Sequence, residues 1–156
     1  MAGGITVSDV TAPDEAAYAL LAQVHRRAFG PQGDSVWQAG AFRQLLESPG
    51  MYAHLFEIDD QPFGFCLYRL VIDEAELISV AVDPAFQKQG LASHIMSHLM
   101  AALKHLGAKQ LFLEVRADNM PAISLYKHAG MTESGVRKNY YQQTDGQKID
   151  ATVFVF

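Results

Sequence analysis

The stretch DPAFQKQGLAS, residues 83–93, lies where an apolar strand gives way to a long helix. The preceding segment, AELISVAV, is rich in residues that favour strands. After it, apolar residues recur at helical spacing, which predicts a helix from Lys88 to Leu106 with a buried stripe at Leu91, Ile95, Leu99, Leu103 and Leu106. The strand, the loop and the helix therefore begin the first of two strand–helix–strand units in the second half of the chain.

The loop has the features of an anion site. A helix that begins at Lys88 presents unpaired backbone N–H groups and a partial positive charge at its first turn. Gly90 has no Cβ, so an anion could approach the backbone closely, and Lys88 adds a charge. Such a loop could hold a pyrophosphate through main-chain groups alone.

An ordinary turn explains the same residues equally simply. The loop contains one glycine, and neither GxGxxG nor GxxxxGK[ST] is present. Taken alone, Gly90 is as well explained as a packing glycine, and the loop by itself favours the plain turn.

Along the chain, hydrophobic spacing and breaker residues predict the order β-α-α-β-β-β-α-β-α-β-β. The first two helices are predicted over residues 13–29 and 36–48, the second capped by Asp34 or Ser35. The turn signals DDQP and Asp145-Gly146 each predict a hairpin. This order predicts an α/β fold of the α+β type, with a mixed central sheet and helices on both faces.

Length and composition predict one domain over residues 1–156. No apolar run approaches the roughly 20 residues of a membrane span, and no signal peptide is recognisable, so we expect a cytoplasmic protein without a membrane partner. The net charge of −5 argues against nucleic acid as a partner and is compatible with a basic one. Cys66 is the only cysteine and is predicted to be a buried, inert thiol.

A second segment, LEVRADNMPAISLYKHAGM at residues 113–131, changes the interpretation of the loop. It puts Glu114 near the carboxyl end of a strand, where α/β sheets bind ligands. Asn119 and Tyr126 are seven positions apart on the next helix, so they share a face about 10 Å apart along its axis. They could follow a long, narrow ligand. The alternative is that they are only a helix cap and a half-buried tyrosine.

Together these segments resemble the GNAT superfamily of acyl-CoA-dependent N-acetyltransferases. The superfamily's loop has the form Q/R-x-x-G-x-G/A, and residues 87–92 match it as QKQGLA. Within the superfamily, the second segment followed by RKNYY and DGQKIDA is similar to the RimI-type enzymes, which acetylate the N-terminal alanine of a ribosomal protein. The resemblance covers residues 74–155 and is weak before residue 50.

The resemblance implies acetyl-CoA as cosubstrate, no metal, and direct attack by an amine in a ternary complex. The backbone of Val80, Ala81 and Val82 would bind the pantetheine arm. The pyrophosphate would be bound by Lys88, Gln89, Gly90, Leu91, Ala92 and Ser93, and Asn119 would hydrogen-bond the cofactor.

Two side chains are implied to carry the proton transfers, Glu114 as general base and Tyr126 as general acid. A rival base is Glu76, whose side chain strand alternation would place on the same face as Ile78, Val80 and Val82. Water acting without a single base is the third possibility.

The acceptor is less firmly implied than the donor. The region between the first two helices reads AFGPQGDSVW, which departs from the compact stretch usual in RimI-type enzymes. An N-terminal alanine of a ribosomal protein is the first hypothesis, a small-molecule amine the second, and a non-catalytic acyl-CoA-binding or partner-binding module the third. The oligomeric state is left open.

Two further groups of residues have ambiguous roles. His94 and His98 have the i, i+4 spacing of a zinc pair, but no neighbouring carboxylate or cysteine completes a set in the sequence, so no metal is predicted. Tyr140 and Tyr141 would either line the acceptor site or pack in a hairpin.

Overall fold

A computed structural model describes residues 4–33, 35–143 and 145–156. Within these ranges the predicted order of elements is confirmed. The strands are β1 Ile5–Val10, β2 Met51–Ile58, β3 Gln61–Val71, β4 Glu74–Val82, β5 Gln110–Arg116, β6 Thr132–Gln142 and β7 Lys148–Val155. The helices are α1 Glu15–Phe29, α2 Ala39–Leu46, α3 Leu91–His105 and α4 Met120–His128.

The strands form one mixed sheet in the order β1-β2-β3-β4-β5-β7-β6. Neighbouring strands are antiparallel except β4 and β5, which are parallel and connected through α3. Ile95 and Leu99 of α3 and Tyr126 of α4 share one buried cluster. Tyr18 and Leu21 of α1 and Phe42 of α2 belong to a second cluster. The two clusters include residues of opposite faces of β3, so the prediction of helices on both faces is confirmed.

The hairpin predicted from DDQP is a tight two-residue turn. Asp59 and Asp60 both have positive φ, at 51° and 61°. This is the type I′ conformation, whose twist matches that of the flanking strands. Aspartate tolerates it better than most residues, which explains why DD marks the turn.

The second helix begins later than the predicted residue 36. α2 starts at Ala39 after Gln38, with no side-chain cap, so Ser35 does not cap it and Asp34 lies outside the described residues. The reason is a contact with α1. The N–H of Trp37 donates to His25 Nδ1 at 3.2 Å, and the two rings stack at 4.8 Å. These contacts hold the chain before α2 against the first helix.

No helix in the described ranges is long and apolar enough to span a membrane.

Candidate active site

The parallel strands β4 and β5 separate after a short ladder. They pair at Glu74↔Gln110, Ala75↔Leu111 and Glu76↔Phe112, and then β4 continues to Val82 while β5 continues to Arg116. Beyond the ladder β4 stays paired with β3 on its other side, and β5 with β7. A wedge therefore opens between the carboxyl ends of the two strands. The edge of β4 that faces it includes Val80, Ala81 and Val82, where an extended ligand could pair as a strand would.

A β-bulge reverses the alternation within β4. The register with β3 passes from Leu67↔Ser79 to Tyr68↔Leu77, so Ile78 is an extra residue. Val80 and Val82 accordingly pack against the α3 side, whereas Glu76 lies between Ala75 and Leu77 of that same cluster and points to the other face. The expectation that Glu76 shares a face with Val80 and Val82 was wrong, because simple alternation ignores the bulge.

The loop after β4 differs from the predicted helix start. α3 begins at Leu91, not at Lys88, and Gly90 is its N-cap in the left-handed conformation with φ 74° and ψ 10°. Lys88 also has positive φ, at 64°. The delay arises because Pro84–Phe86 forms a 3-10 turn, and the Gln87 side chain donates from Nε2 to the Val82 carbonyl at 3.2 Å.

This loop directs a row of backbone donors outward. Among the described residues, no acceptor is found for the backbone N–H groups of residues 88–93. Alternating signs of φ around Gln89 curve successive N–H groups toward a common point, the geometry of an anion-binding nest. A Cβ added at Gly90 would meet no protein atom within 4 Å, so the space beside it is open. The predicted anion site therefore has its donors, although they belong to a loop and a helix start rather than to a helical first turn.

An ion pair anchors the loop to α1. The Asp83 carboxylate is buried, accepts from Arg27 Nη1 at 3.1 Å and caps the 3-10 turn through the N–H of Ala85 at 3.0 Å. Asp83 thus fixes the chain where the strand ends and the donor loop begins.

Glu114 lies on β5 beside the wedge, with 16% of its side chain exposed. Its neighbours Leu113 and Val115 belong to the cluster that packs on α3 and α4, so Glu114 points to the opposite face. Arg137 of β6 donates from Nη1 to Glu114 Oε1 at 2.6 Å. Glu76, the rival base, lies on the same face and accepts from Arg69 at 2.8 Å.

Tyr126 lies on the other side of the sheet from Glu114. It is buried in the α3 and α4 cluster, with its ring centre 6.0 Å from that of Phe154, so it is more buried than the half-buried tyrosine of the alternative interpretation. Its hydroxyl makes no hydrogen bond within the described part of the chain. Burial, and secondarily the neighbouring Tyr141, raises the pKa of Tyr126 well above its ordinary value, which keeps the phenol protonated.

Asn119 is the N-cap of α4, as one of the two readings of the sequence expected. Its side-chain oxygen accepts from the N–H of Ala122 at 3.3 Å. No acceptor for the two N–H donors of this amide is found among the described residues.

Arg137 is a functional candidate that the sequence did not single out. Two extra residues in β6 between Arg137 and Tyr141 interrupt the ladder with β7, where the N–H of Asn139 bonds Asp150 Oδ1 at 2.9 Å. This bulge puts the Arg137 guanidinium on Glu114 and 4.4 Å from the centre of the Tyr140 ring. Tyr141 donates to the Glu114 carbonyl at 3.4 Å, so both tyrosines lie beside the candidate base.

Cys66 is buried, as predicted. Burial raises the pKa of its thiol to about 12, so it is not a nucleophile near neutral pH.

The family model described as Acetyltransferase (GNAT) family matches residues 15–131. The chain therefore belongs to this family, which confirms the resemblance drawn from the loop and the second segment.

The chain is similar in sequence to bacterial N-acetyltransferases. The [ribosomal protein bS18]-alanine N-acetyltransferase of Escherichia coli strain K12 is 45% identical over 85 residues, 54% of this chain. That match spans 57% of the E. coli protein's length. The enzyme of the same name from Haemophilus ducreyi is 37% identical over 119 residues, which cover 75% of this chain and 80% of that protein.

Solved structures agree on the fold. The ribosomal-protein-S18-alanine N-acetyltransferase from E. coli superposes with a TM-score of 0.84 at 31% identity, covering 98% of this chain and 93% of that one. The yncA structure from Salmonella typhimurium, with its cofactor acetyl-CoA, has a TM-score of 0.80 at 18% identity, covering 97% and 92%. At that identity the likeness concerns the fold alone.

Proposed function

We propose that this protein transfers an acetyl group from acetyl-CoA to the N-terminal amine of a protein, with the N-terminal alanine of a ribosomal protein as its acceptor. The observation that carries the proposal is the wedge between β4 and β5, which has a row of free backbone donors at its mouth and Glu114 and Tyr126 on opposite faces. The activity for which the E. coli and H. ducreyi relatives are named supports this acceptor.

The residues present fit acetyl-CoA. The unpaired edge of β4 at Val80, Ala81 and Val82 suits the pantetheine arm, whose amides need strand-like partners. The donors of Lys88, Gln89, Gly90, Leu91, Ala92 and Ser93 suit the pyrophosphate, and Asn119 could bind the cofactor with its amide. When bound, acetyl-CoA supplies an electrophilic thioester and a thiolate leaving group.

The acceptor amine must be neutral to attack. An α-amino group has a pKa near 8, so a carboxylate such as Glu114 is a sufficient base, acting directly or through water. Glu114 would accept this proton on the face of the sheet that also carries Glu76, Arg69 and Arg137.

Tyr126 would provide the second proton. Because burial raises its pKa above the ordinary value, the hydroxyl stays protonated near neutral pH and in mildly alkaline solution, where the amine becomes neutral. Its free O–H can donate to the departing sulfur from the α3 and α4 face. The proposal includes direct attack of the amine on the thioester without an acyl-enzyme, and the buried thiol of Cys66 supports it.

The decisive experiment measures free thiol release from acetyl-CoA with a basic peptide that begins with alanine. The control is the same peptide with its N-terminus blocked, and a panel of small amines runs in parallel. Release with the free peptide alone supports the proposal. Thiol release with small amines only would mean that the acceptor is a small amine and not a protein N-terminus. Binding of acetyl-CoA without thiol release under any condition would contradict catalysis.

Two variants assign the roles. Tyr126→Phe should lower turnover by roughly 10²–10⁴-fold while acetyl-CoA affinity is kept, because one proton donor is removed from the reaction. Glu114→Gln should change the pH profile of turnover. If Glu76→Gln changes the profile and Glu114→Gln does not, the general base is Glu76 instead. The cytoplasmic location and the lack of nucleic-acid partners stay predictions.

A further inference from the structure

A cluster of three potential metal ligands lies away from the wedge, near the β1 edge of the sheet. It consists of Asp9 on β1, His54 on β2 and His98 on α3. One ligand atom from each side chain lies within 4.8 Å of the other two. In the sequence His98 has ligand spacing only with His94, whereas the fold brings His98 to partners from two other elements.

The sheet register brings the first two ligands together. Asp9 and His54 are directly opposite each other in the antiparallel β1–β2 pair, so their side chains share a face. Asp9 Oδ1 and His54 Nδ1 are 2.7 Å apart. His98 covers this pair from α3, with its ring centre 4.8 Å from that of His54 in an edge-on arrangement.

A further contact orients His54. Its Nε2 lies 2.9 Å from the hydroxyl of Tyr68, and the ring is buried with 8% of the side chain exposed. A histidine that ligates through Nδ1 needs a partner for its other nitrogen, and Tyr68 can accept from a protonated Nε2. The Asp9 side chain is 77% exposed, which leaves an open path for an ion and its waters.

We propose that Asp9, His54 and His98 bind a divalent transition-metal ion such as Zn²⁺. The ligands are a carboxylate oxygen of Asp9, Nδ1 of His54 and one ring nitrogen of His98, with water at the exposed side. Two imidazoles and one carboxylate are a donor set that suits Zn²⁺ and its neighbours.

Binding requires little rearrangement. Tetrahedral zinc with bonds of about 2.1 Å separates its ligands by about 3.4 Å, between the 2.7 Å contact and the 4.8 Å limit of the cluster. The proton of His54 must reside on Nε2. There it can donate a hydrogen bond to the hydroxyl oxygen of Tyr68. Asp9 then contributes its negative charge to the ion instead of to an N–H group.

The ion would connect three elements and stabilise the fold rather than catalyse acetyl transfer. His98 is seven residues beyond the first residue of α3, about 10 Å along the helix axis from the donor loop. The site would join α3 to β1 and β2, so metal should raise the thermal unfolding temperature.

The test uses the full chain without a histidine tag, freed of metal by chelation. Zn²⁺ binding is measured by equilibrium dialysis, Co²⁺ coordination by its visible absorption, and stability by thermal unfolding with and without Zn²⁺. We expect one ion per chain, a tetrahedral Co²⁺ spectrum and a raised unfolding temperature.

The variants separate this site from surface binding. Asp9→Asn and His98→Gln alter accessible side chains and should each weaken Zn²⁺ binding by more than tenfold, as should His54→Gln. Tyr68→Phe removes the outer hydrogen bond and should weaken it by about 10–100-fold. His105→Gln, on the same helix but outside the cluster, is the matched control and should leave binding unchanged.

His94→Gln decides between the proposed cluster of Asp9, His54 and His98 and the helical pair of His94 and His98. Loss of binding in His94→Gln with normal binding in Asp9→Asn and His54→Gln would replace the proposed site by the helical pair. Absence of Zn²⁺ binding by the folded wild-type protein, or equal binding by all variants, would overturn the proposal.

Discussion

Arg137 determines how the candidate base Glu114 is held. Its Nη1 donates to Glu114 Oε1 at 2.6 Å, and the hydrogen bond with Glu114 is the main reason why the pKa of Arg137 is raised. The guanidinium also lies over the ring of Tyr140, so its position is defined by two partners. Arg137 is therefore a positioning residue for the reaction proposed here.

Replacing Arg137 tests this role. Arg137→Ala should lower kcat/KM by about 10–100-fold, because a small displacement of a catalytic group slows the reaction strongly. Arg137→Lys keeps the charge but loses the planar fork, so it should recover only part of the loss. Steady-state kinetics with the alanine peptide measures both variants. Wild-type kinetics in Arg137→Ala, with a normal circular dichroism spectrum as control, would remove Arg137 from the mechanism.

The sequence predicted the wedge residues better than the contacts between them. The places of Glu114 near a strand end and Asn119 at a helix start have local signals, and Tyr126 was singled out by its helical spacing from Asn119. Arg137 was missed because its place depends on a β6 bulge, held in part by the contact between Asn139 and Asp150 from two strands. A residue whose role is set by sheet register has no signature in its own neighbourhood.

At the scale of the elements, the backbone conformation at the start of α3 depends on a single glycine, Gly90. Gly90 has φ 74°, where a residue with a Cβ is disfavoured by about 1–2 kcal/mol. The space beside it is open in the protein, since an added Cβ meets nothing within 4 Å. The backbone conformation and the approach of a phosphate are therefore two separate reasons for a glycine.

Two substitutions separate these reasons. Gly90→Ala should lower both the unfolding free energy and the affinity for acetyl-CoA. Gly90→Asn should nearly preserve stability, because asparagine tolerates the left-handed conformation, but its side chain enters the anion space and should weaken binding at least as much as alanine. Calorimetric titration and denaturant unfolding measure the two effects. If Gly90→Asn binds acetyl-CoA like the wild type, close approach of the phosphate at Gly90 is wrong.

The boundaries of elements and the β-bulges could not be predicted from the spacing of residues in the sequence. The order of elements followed from periodicity and breaker residues, and was confirmed. The helical pattern at Lys88 continued smoothly into the loop, so the true start at Leu91 was hidden by the 3-10 turn. The bulge at Ile78 likewise lies inside an unbroken apolar strand. Both depend on hydrogen bonds between elements rather than on local composition.

At the scale of the whole molecule, Gly64 lies where β3, β4 and α3 come close together. A Cβ at this position would lie 2.6 Å from Ile95 Cδ1 and 2.8 Å from the Ala81 carbonyl oxygen. The side chain of Ile95 can move, but the backbone of Ala81 cannot move without widening the sheet. Gly64→Ala should therefore destabilise the protein by about 1–3 kcal/mol.

Gly135 is the matched control for this substitution. It also lies in a strand, β6, but an added Cβ would meet nothing within 4 Å. Gly135→Ala should be neutral or slightly stabilising, since alanine restricts the unfolded chain. Urea unfolding of both variants gives the comparison, and an equal loss of stability in the two would show that packing at Gly64 is not the cause.

Cys66 and Tyr126 are two buried acids with raised pKa values, and they make stability depend on alkaline pH. Cys66 titrates near 9 when unfolded and at about 12 when folded, and burial likewise raises the pKa of Tyr126 above its ordinary 10. Near pH 11 the unfolded chain therefore binds almost two fewer protons at these sites than the folded protein. Their stabilising contribution is complete below pH 9, and it falls by up to about 2.7 kcal/mol per pH unit around pH 11.

Single variants isolate each proton. Tyr126→Phe and Cys66→Ala should each make the fall in unfolding free energy shallower by about 1.4 kcal/mol per pH unit, because one titrating group is removed. Leu99→Ala, a buried change that carries no proton, should lower stability at every pH and leave the slope unaltered. Urea unfolding from pH 8 to 11.5 measures the slopes. Parallel slopes in all four proteins would mean that the thiol and the phenol ionise as readily in the folded core as in the unfolded chain, and would contradict the raised pKa values.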